Sequence, residues 1–398
     1  MTRLRIASVG AGSQPGCRTW GYLHVIKQLD DMYALCAVCD RDEGRGRAAA
    51  EAFGIPAVHV DMEEMIRREK PDVIIRLTPT DSCVGVSVRA AEMGCHIINE
   101  IPIAPTLPMA DAIIEACRRN GVTLEVAENV WLWPQERLKQ EIVRAGTIGK
   151  PVHARLTYPC GSYHGFNGVR MILGQEPRRV WGHAAEAAML PTIDYGGNPT
   201  QSSWWEAGVL QFPDLCCLYE MPPKNRPWRR FWDIEGMQGA LLADSLVLYE
   251  EGGEKSYPFE RVTTEVNGQP VLEAMRVDTD PPVEWRNPYA RYGISDMDDI
   301  AKAAILESMY EAVVEGGEPV YGWENARRDQ EVWIALRESA LRGGVWMGLP
   351  LREVTGLEVR IHDEFRRRYG CDPLTDIDAQ LRANYDRNAV MWKVAGWL

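Results

Sequence analysis

The sequence predicts an α/β protein: an N-terminal doubly wound parallel sheet joined to a C-terminal α+β domain with a large open, mostly antiparallel sheet. Three observations carry this prediction. Apolar runs alternate with amphipathic helical patterns over residues 1–127, as in a parallel sheet with crossover helices. After Lys150 and Pro151 the apolar runs are joined by Gly/Pro loops rather than helices, as in antiparallel strands. The chain has 398 residues, 45% hydrophobic and 25% charged, enough for two or three domains with ample cores.

The first stretch organises the rest. An apolar run with Leu4, Ile6 and Val9 ends in Gly10, and Gly12 and Gly16 follow. A second apolar run, residues 35–39, is closed by Asp40. Strand, glycine turn, helix, strand and acid form the context of a dinucleotide site. The glycines allow close backbone approach, and the helix offers unpaired N–H groups to a pyrophosphate. Asp40 would accept hydrogen bonds from an adenosine ribose and so favours NAD over NADP, whereas the neighbouring Arg41 could receive a 2′-phosphate. The Ser13–Trp20 loop is longer than usual and contains Pro15.

Strands are expected at Arg5–Val9, Leu35–Cys39, Val58–Val60, Val73–Leu77, Cys95–Ile98 and Thr123–Val126. Helical patterns lie at Glu43–Phe53, Met62–Arg68, Ser82–Met93 and Met109–Arg119. Gly54, Gly94 and Gly121 each stand just past a helix, where a left-handed cap is wanted. Ligands of such sheets bind beyond the carboxyl ends of the strands. Those ends carry Gly10, Asp40, Thr78, Pro79 and Glu100.

Residues 128–150 bridge to the second domain with a helix from Gln135 to Arg144. Further strands are expected at Val152–Tyr158, Arg179–Ala185, Ala207–Leu210, Cys216–Tyr219, Arg230–Ile234 and Ala240–Tyr249. Residues 250–294 read as loop-rich, and Ser295 to Asp298 as a capping box opening a long helix. A second helix carries Val332, Trp333 and Leu336 and stops at Gly343. The domains are thus 1–127, 128–353 and a polar C-terminal extension, 354–398.

The net charge of −13 argues against general nucleic-acid binding and against docking on an anionic membrane. No stretch approaches the roughly 20 apolar residues of a membrane span. The first strand begins within a few residues of Met1, so a cytoplasmic location with reduced thiols is expected for the ten cysteines. Cys36 and Cys39 face opposite sides of a strand and read as core, as do Cys216 and Cys217. His153, His183 and Glu186 raise a metal question, but their spacing is not diagnostic and no metal is expected. Fourteen tryptophans stand against six phenylalanines. Trp131, Trp133, Trp204, Trp205 and Trp232 could stack on sugar rings or fill core and interface. Pro227 to Arg230 could greet a carboxylate or phosphate, and otherwise read as a solvated loop.

The order of these features resembles the Gfo/Idh/MocA oxidoreductases. The resemblance spans roughly residues 4–350. It rests on Gly10-x-Gly12, residues 39–42, Lys70 to Val73, Thr78 to Thr80 and Glu100-x-Pro102. It continues through Gly146 to Lys150 and the late helix pair with Glu338, Ser339 and Ala340. It implies an N-terminal Rossmann domain and an open-sheet C-terminal domain. It also implies NAD(P), hydride transfer at a sugar or polyol carbon, and homodimers or homotetramers formed through the sheets. The family's active-site lysine is replaced here by Ile101, which neither donates a hydrogen bond nor carries charge. Of the family's histidine motif His164 survives, while its acids read Cys160 and Asn167.

The expectation is therefore an NAD-dependent enzyme acting on a carbohydrate or polyol-like compound. His164, helped by Tyr163, is its acid/base, and Gly10, Gly12, Asp40, Arg41, Thr78, Pro79 and Glu100 are its cofactor residues. Two other readings stand beside it. One is an enzyme without net redox, a lyase, epimerase or glycoside-cleaving enzyme that retains NAD or uses a metal. The other is a binding or assembly subunit that has lost the chemistry.

Overall fold

A computed structural model describes residues 2–157, 163–193, 199–221, 231–385 and 389–394. The chain forms two compact units, each assembled from separated stretches. The first comprises residues 1–128, 301–327 and 361–390, and the second residues 129–300, 328–360 and 391–398.

The first unit is built on strands β1 (Leu4–Val9), β2 (Tyr33–Cys39), β3 (Val58–His59), β4 (Val73–Arg76), β5 (His96–Asn99) and β6 (Leu124–Val126). They form one parallel sheet in the order β3-β2-β1-β4-β5-β6, the doubly wound arrangement expected from the sequence. The crossovers contain α1 (Arg18–Gln28), α2 (Glu43–Phe53), α3 (Met62–Glu69), α4 (Cys83–Glu92) and α5 (Leu107–Asn120). Side chains set their starts: Asp42 accepts from Arg45 N, Asp61 from Glu64 N and Thr106 from Met109 N. Gly54, Gly94 and Gly121 take the left-handed conformation expected of them. Ile6, Val38, Ile74, Ile75, Ile97 and Ile98 are fully buried between the helix layers, which accounts for the unbroken apolar strands.

The second unit opens with α6 (Pro134–Arg144), β7 (Pro151–Thr157) and α7 (Tyr163–Leu173). Next come β8 (Arg179–Ile193), β9 (Pro199–Gln211), β10 (Cys216–Met221), β11 (Phe231–Gly236), β12 (Gly239–Leu241), β13 (Ser245–Glu250) and β14 (Gly253–Pro258). A nine-stranded sheet runs β14-β13-β12-β11-β7-β10-β9-β8-β18, where β18 is Met347–Gly348. Only β7 and β10 pair in parallel, so the sheet is mostly antiparallel, as expected. A separate antiparallel sheet joins β15 (Glu260–Val266), β16 (Gln269–Val277) and β17 (Val283–Arg286).

The long helices α8 (Met297–Glu311) and α9 (Gly322–Leu341) pass from one unit into the other. After α9 come α10 (Gly356–Tyr369), α11 (Ile377–Arg382) and α12 (Val390–Val394).

Four expectations need correction. Residues 250–294 are not loop-rich: they contain β14 to β17. β14 and β15 are exposed along most of their length, and the buried residues of β16 fall in adjacent pairs, so no clean apolar alternation marks the segment. The run Ala240–Tyr249 is two strands, broken by the tight connection at residues 242–244. The cap of α8 is Asp296, whose Oδ1 accepts from Asp298 N (2.8 Å) and Asp299 N (3.2 Å). Ser295 instead accepts from Leu272 N. Of the adjacent cysteines only Cys217 is core; Cys216 lies on the opposite, exposed face of β10.

Candidate functional site

The glycine turn follows from how closely two strand exits approach. Gly10 has φ +101°, and a Cβ there would lie 2.6 Å from the Leu77 carbonyl oxygen, just past β4. Only glycine satisfies both conditions. Gly10 N also donates to Cys39 O at 2.8 Å, joining the exits of β1 and β2. Gly12, at φ +72°, sits where a Cβ would meet the Cys17 sulfur at 2.5 Å.

Cys17 occupies the N-cap of α1 without capping it through its side chain, and no acid stands in the first turn. The helix start is therefore suited to an anion. Burial raises the Cys17 thiol, but backbone N–H groups of Trp20, Gln14, Ser13 and Thr19 outweigh it and hold the thiol below its ordinary value. The turn thus already favours negative charge.

Asp40 is fixed at the end of β2. Its Oδ2 accepts from Ala11 N and its Oδ1 from Asp42 N, both at 2.9 Å. Arg41 is exposed, and its Nη1 donates to Ala383 O (2.5 Å) and Asn384 Oδ1 (3.3 Å). Beyond β4, Thr78 Oγ1 pairs with Ser82 Oγ at 2.7 Å, and Ser82 donates to Pro79 O at 2.7 Å. The buried Arg76 ties this loop to the exit of β5. It donates to Asn99 Oδ1, to Thr78 O (2.9 Å) and to Glu100 O (2.5 Å). Glu100 Oε1 accepts from Arg18 Nε at 2.7 Å. Gly10, Gly12, Asp40, Thr78, Pro79 and Glu100 thus share one edge of the first sheet.

The sequence reading missed three elements here. Arg18, the first residue of α1, reaches Glu100 across 82 positions of chain. Arg76 is a buried charge inside what looked like a plain apolar strand. The C-terminal extension holds Arg41. The visible signal was the lone arginine at 76 in an otherwise aliphatic run.

Tyr163 and His164 begin α7 in the second unit; Tyr163 is buried and His164 partly exposed. Gly165 and Gly168 let α7 lie closely on the sheet. A Cβ at 165 would meet the Leu156 side chain, and one at 168 the Trp232 ring. Asn167 is fully buried on the same helix, and among the described residues neither of its side-chain polar atoms has a hydrogen-bond partner. Cys160 and the segment from Pro227 to Arg230 lie outside the described residues.

Trp131, Trp133 and Trp232 are buried core, whereas Trp204 and Trp205 are half-exposed on β9. His183 is exposed and packs 5.4 Å from the Trp205 ring. Among the described residues no three His, Cys, Asp or Glu side chains are grouped to hold a metal ion. No helix among them is long and apolar enough to cross a membrane.

Residues 4–128 match the family model described as the Gfo/Idh/MocA oxidoreductase family, NAD-binding Rossmann fold. The chain is 34% identical over 149 residues to D-apiose dehydrogenase of Paraburkholderia graminis, covering 37% of this chain and 40% of that protein. It is 26% identical over 198 residues to myo-inositol 2-dehydrogenase of Thermotoga maritima, covering 45% and 57%. The aligned segments therefore span only about half the length of these relatives. The fold is similar to that of levoglucosan dehydrogenase in complex with NADH and levoglucosan, with a TM-score of 0.65 at 17% identity, covering 88% and 100% of the two chains. The glycine turn, the fixed Asp40 and the match over residues 4–128 agree on one point: the N-terminal part of the chain is similar to the NAD-binding Rossmann domain of the Gfo/Idh/MocA oxidoreductases.

Proposed function

We propose that this protein is an NAD-dependent oxidoreductase acting on a carbohydrate or polyol-like substrate. The observation that carries the reading is the grip of the glycine turn on Asp40. Ala11 N, inside the turn, fixes the carboxylate at 2.9 Å, so the ribose acceptor and the pyrophosphate turn are built as one piece. The residues present fit the dinucleotide. Gly10 and Gly12 keep the turn tight, with positive φ and approaches to Leu77 O and Cys17 Sγ that no Cβ would allow, and the start of α1 has no side-chain cap and no acid.

In this reading Asp40 holds the adenosine ribose. The N–H groups of the turn and of α1 hold the pyrophosphate, with Arg18 adding positive charge. Thr78, Pro79 and Glu100 line the way to the nicotinamide end. When bound, NAD supplies the hydride acceptor. His164 takes the proton of the substrate hydroxyl, a task suited to an imidazole near neutral pH, and Tyr163 is its neighbour. Because the Ile101 side chain contributes neither charge nor hydrogen bond, the proton falls to histidine.

The same reading includes a cytoplasmic homodimer or homotetramer. The nine described cysteines are all free, and the outer face of the nine-stranded sheet exposes Leu218 beside half-exposed Trp205.

The replacement of the lysine by Ile101 favours a second reading, a sugar-transforming enzyme that keeps its NAD without net redox. Free NADH accumulating during turnover separates the first reading from the second. Titration of the full chain with NADH, wild type against Asp40→Ala, tests the nucleotide site common to both.

A further inference from the structure

The C-terminal extension makes contacts that the family resemblance did not anticipate, and they fall on the two loops flanking the glycine turn. Tyr369 Oη donates to Asp81 Oδ2 at 2.7 Å, and Val390 N donates to the same carboxylate at 3.0 Å. Asp81 is fully buried and follows Thr78 to Thr80 directly. Arg89 Nη2, on α4, donates to Asp378 at 2.6 Å. Gln380 of α11 packs on Gly85, where a Cβ would lie 2.9 Å from the Gln380 Cβ. The chain then leaves α11 and reaches the end of β2, where Ala383 O and Asn384 Oδ1 both take Nη1 of Arg41. Tyr385 is held by Tyr369 at 4.7 Å between ring centroids. The extension is therefore fastened on both sides of the segment 383–385.

Arg41 adjoins Asp40, the residue read as the ribose acceptor. An arginine near that acid is the group that receives a 2′-phosphate in NADP-binding sites. Here two acceptor oxygens of the extension already stand against its guanidinium. A 2′-phosphate approaching the same edge would meet their lone pairs as well as the Asp40 carboxylate, and turning Arg41 towards the phosphate would break both bonds. We propose that the segment 383–385 is a selectivity element for the cofactor: it withdraws Arg41 from the ribose position and makes the site reject the 2′-phosphate. The proposal rests on the nucleotide reading of the site and adds to it a specificity determinant some 340 residues distant in the chain.

The test is the affinity of the full chain for NADH and for NADPH, measured by tryptophan fluorescence or calorimetry at fixed salt. Wild type, Arg41→Ala and Asn384→Lys are compared. Both positions are exposed, so the variants are expected to fold. Wild type prefers NADH. Arg41→Ala shifts the NADH/NADPH affinity ratio by less than about threefold, because a withdrawn guanidinium has no phosphate contact to lose. Asn384→Lys places a cation on the segment and improves NADPH relative to NADH by about tenfold, the gain of one charge-assisted contact. A selective loss of NADPH affinity of about tenfold or more in Arg41→Ala would overturn the proposal, since Arg41 would then be leaving the extension to hold the phosphate. An unchanged ratio in Asn384→Lys would also overturn it, by showing that the segment does not lie at the 2′ position. If wild type binds neither nucleotide, the reading of the site itself fails, an outcome visible before any variant is made.

Discussion

Replacing Glu125 by glutamine should remove a pH dependence of stability that the fold builds into β6. The Glu125 carboxyl is fully buried. Its Oε1 accepts from Val126 N and Gly322 N, both at 2.8 Å, and its Oε2 from Ser308 Oγ at 2.6 Å. Burial dominates over these contacts and pushes its pKa up to about 7 from an ordinary 4.5. In the unfolded chain the group ionises near 4.5, while in the folded protein it keeps its proton until about 7. Over that window the folded state binds more protons, so stability falls as pH rises and levels off above about 7. At about 1.4 kcal/mol per pH unit, the full loss across the window is about 3 kcal/mol. Glutamine stays neutral throughout, and its amide oxygen can keep accepting from Val126 N and Gly322 N while its NH2 faces Ser308 Oγ.

The assay is urea unfolding followed by tryptophan fluorescence at several values between about pH 5 and pH 8. The account predicts that Glu125→Gln gains about 2 kcal/mol or more on wild type across that range. Other titrating groups are common to both proteins and cancel in the difference. Parallel stability curves for the two proteins would refute the reasoning.

Two further predictions concern α7. Gly168→Ala drives a methyl group into the Trp232 ring, which is itself buried, so it should destabilise the protein by about 1–3 kcal/mol or more. Because α7 belongs to the second unit, turnover should fall in this variant while NADH affinity is retained, as read by thermal melting and a binding titration. His164→Ala should lower turnover by about a hundredfold or more, the usual worth of a general base, again with NADH affinity kept. Turnover equal to wild type would remove His164 from the chemistry.

Much of the first unit was legible because its strands are buried on both faces and its helices carry their own start and stop signals. Asp42, Asp61 and Thr106 cap as their residue types suggest. The hairpin of β15 and β16 was missed for a different reason: β15 is polar and mostly exposed, and the buried residues of β16 (Val271, Leu272, Ala274, Met275 and Val277) do not alternate singly along the strand. A local signal did exist there. Asn267 and Gly268 both take positive φ, 52° and 75°, the signature of a two-residue hairpin turn. At α8 the pattern matched two possible caps, and the serine was taken by the backbone of β16.

In the candidate site, Gly10, Gly12 and Asp40 were legible because their spacing is local and the turn demands those residue types. Arg18 with Glu100, and Arg41 with Ala383 and Asn384, were not legible. Their partners lie 82, 342 and 343 positions away, and which distant groups meet is decided by packing rather than by any local pattern.

The most direct test of the central claim is a titration of the purified full chain with NADH, wild type beside Asp40→Ala, after removal of any bound nucleotide. The account predicts saturable binding by wild type in the micromolar range or tighter, about −8 kcal/mol or better. It predicts affinity at least about tenfold weaker in the variant, because the carboxylate held by Ala11 N and Asp42 N is the proposed ribose acceptor. Equal binding by the two proteins would contradict the assignment of Asp40, and no binding by a folded wild-type chain would contradict the nucleotide site as a whole.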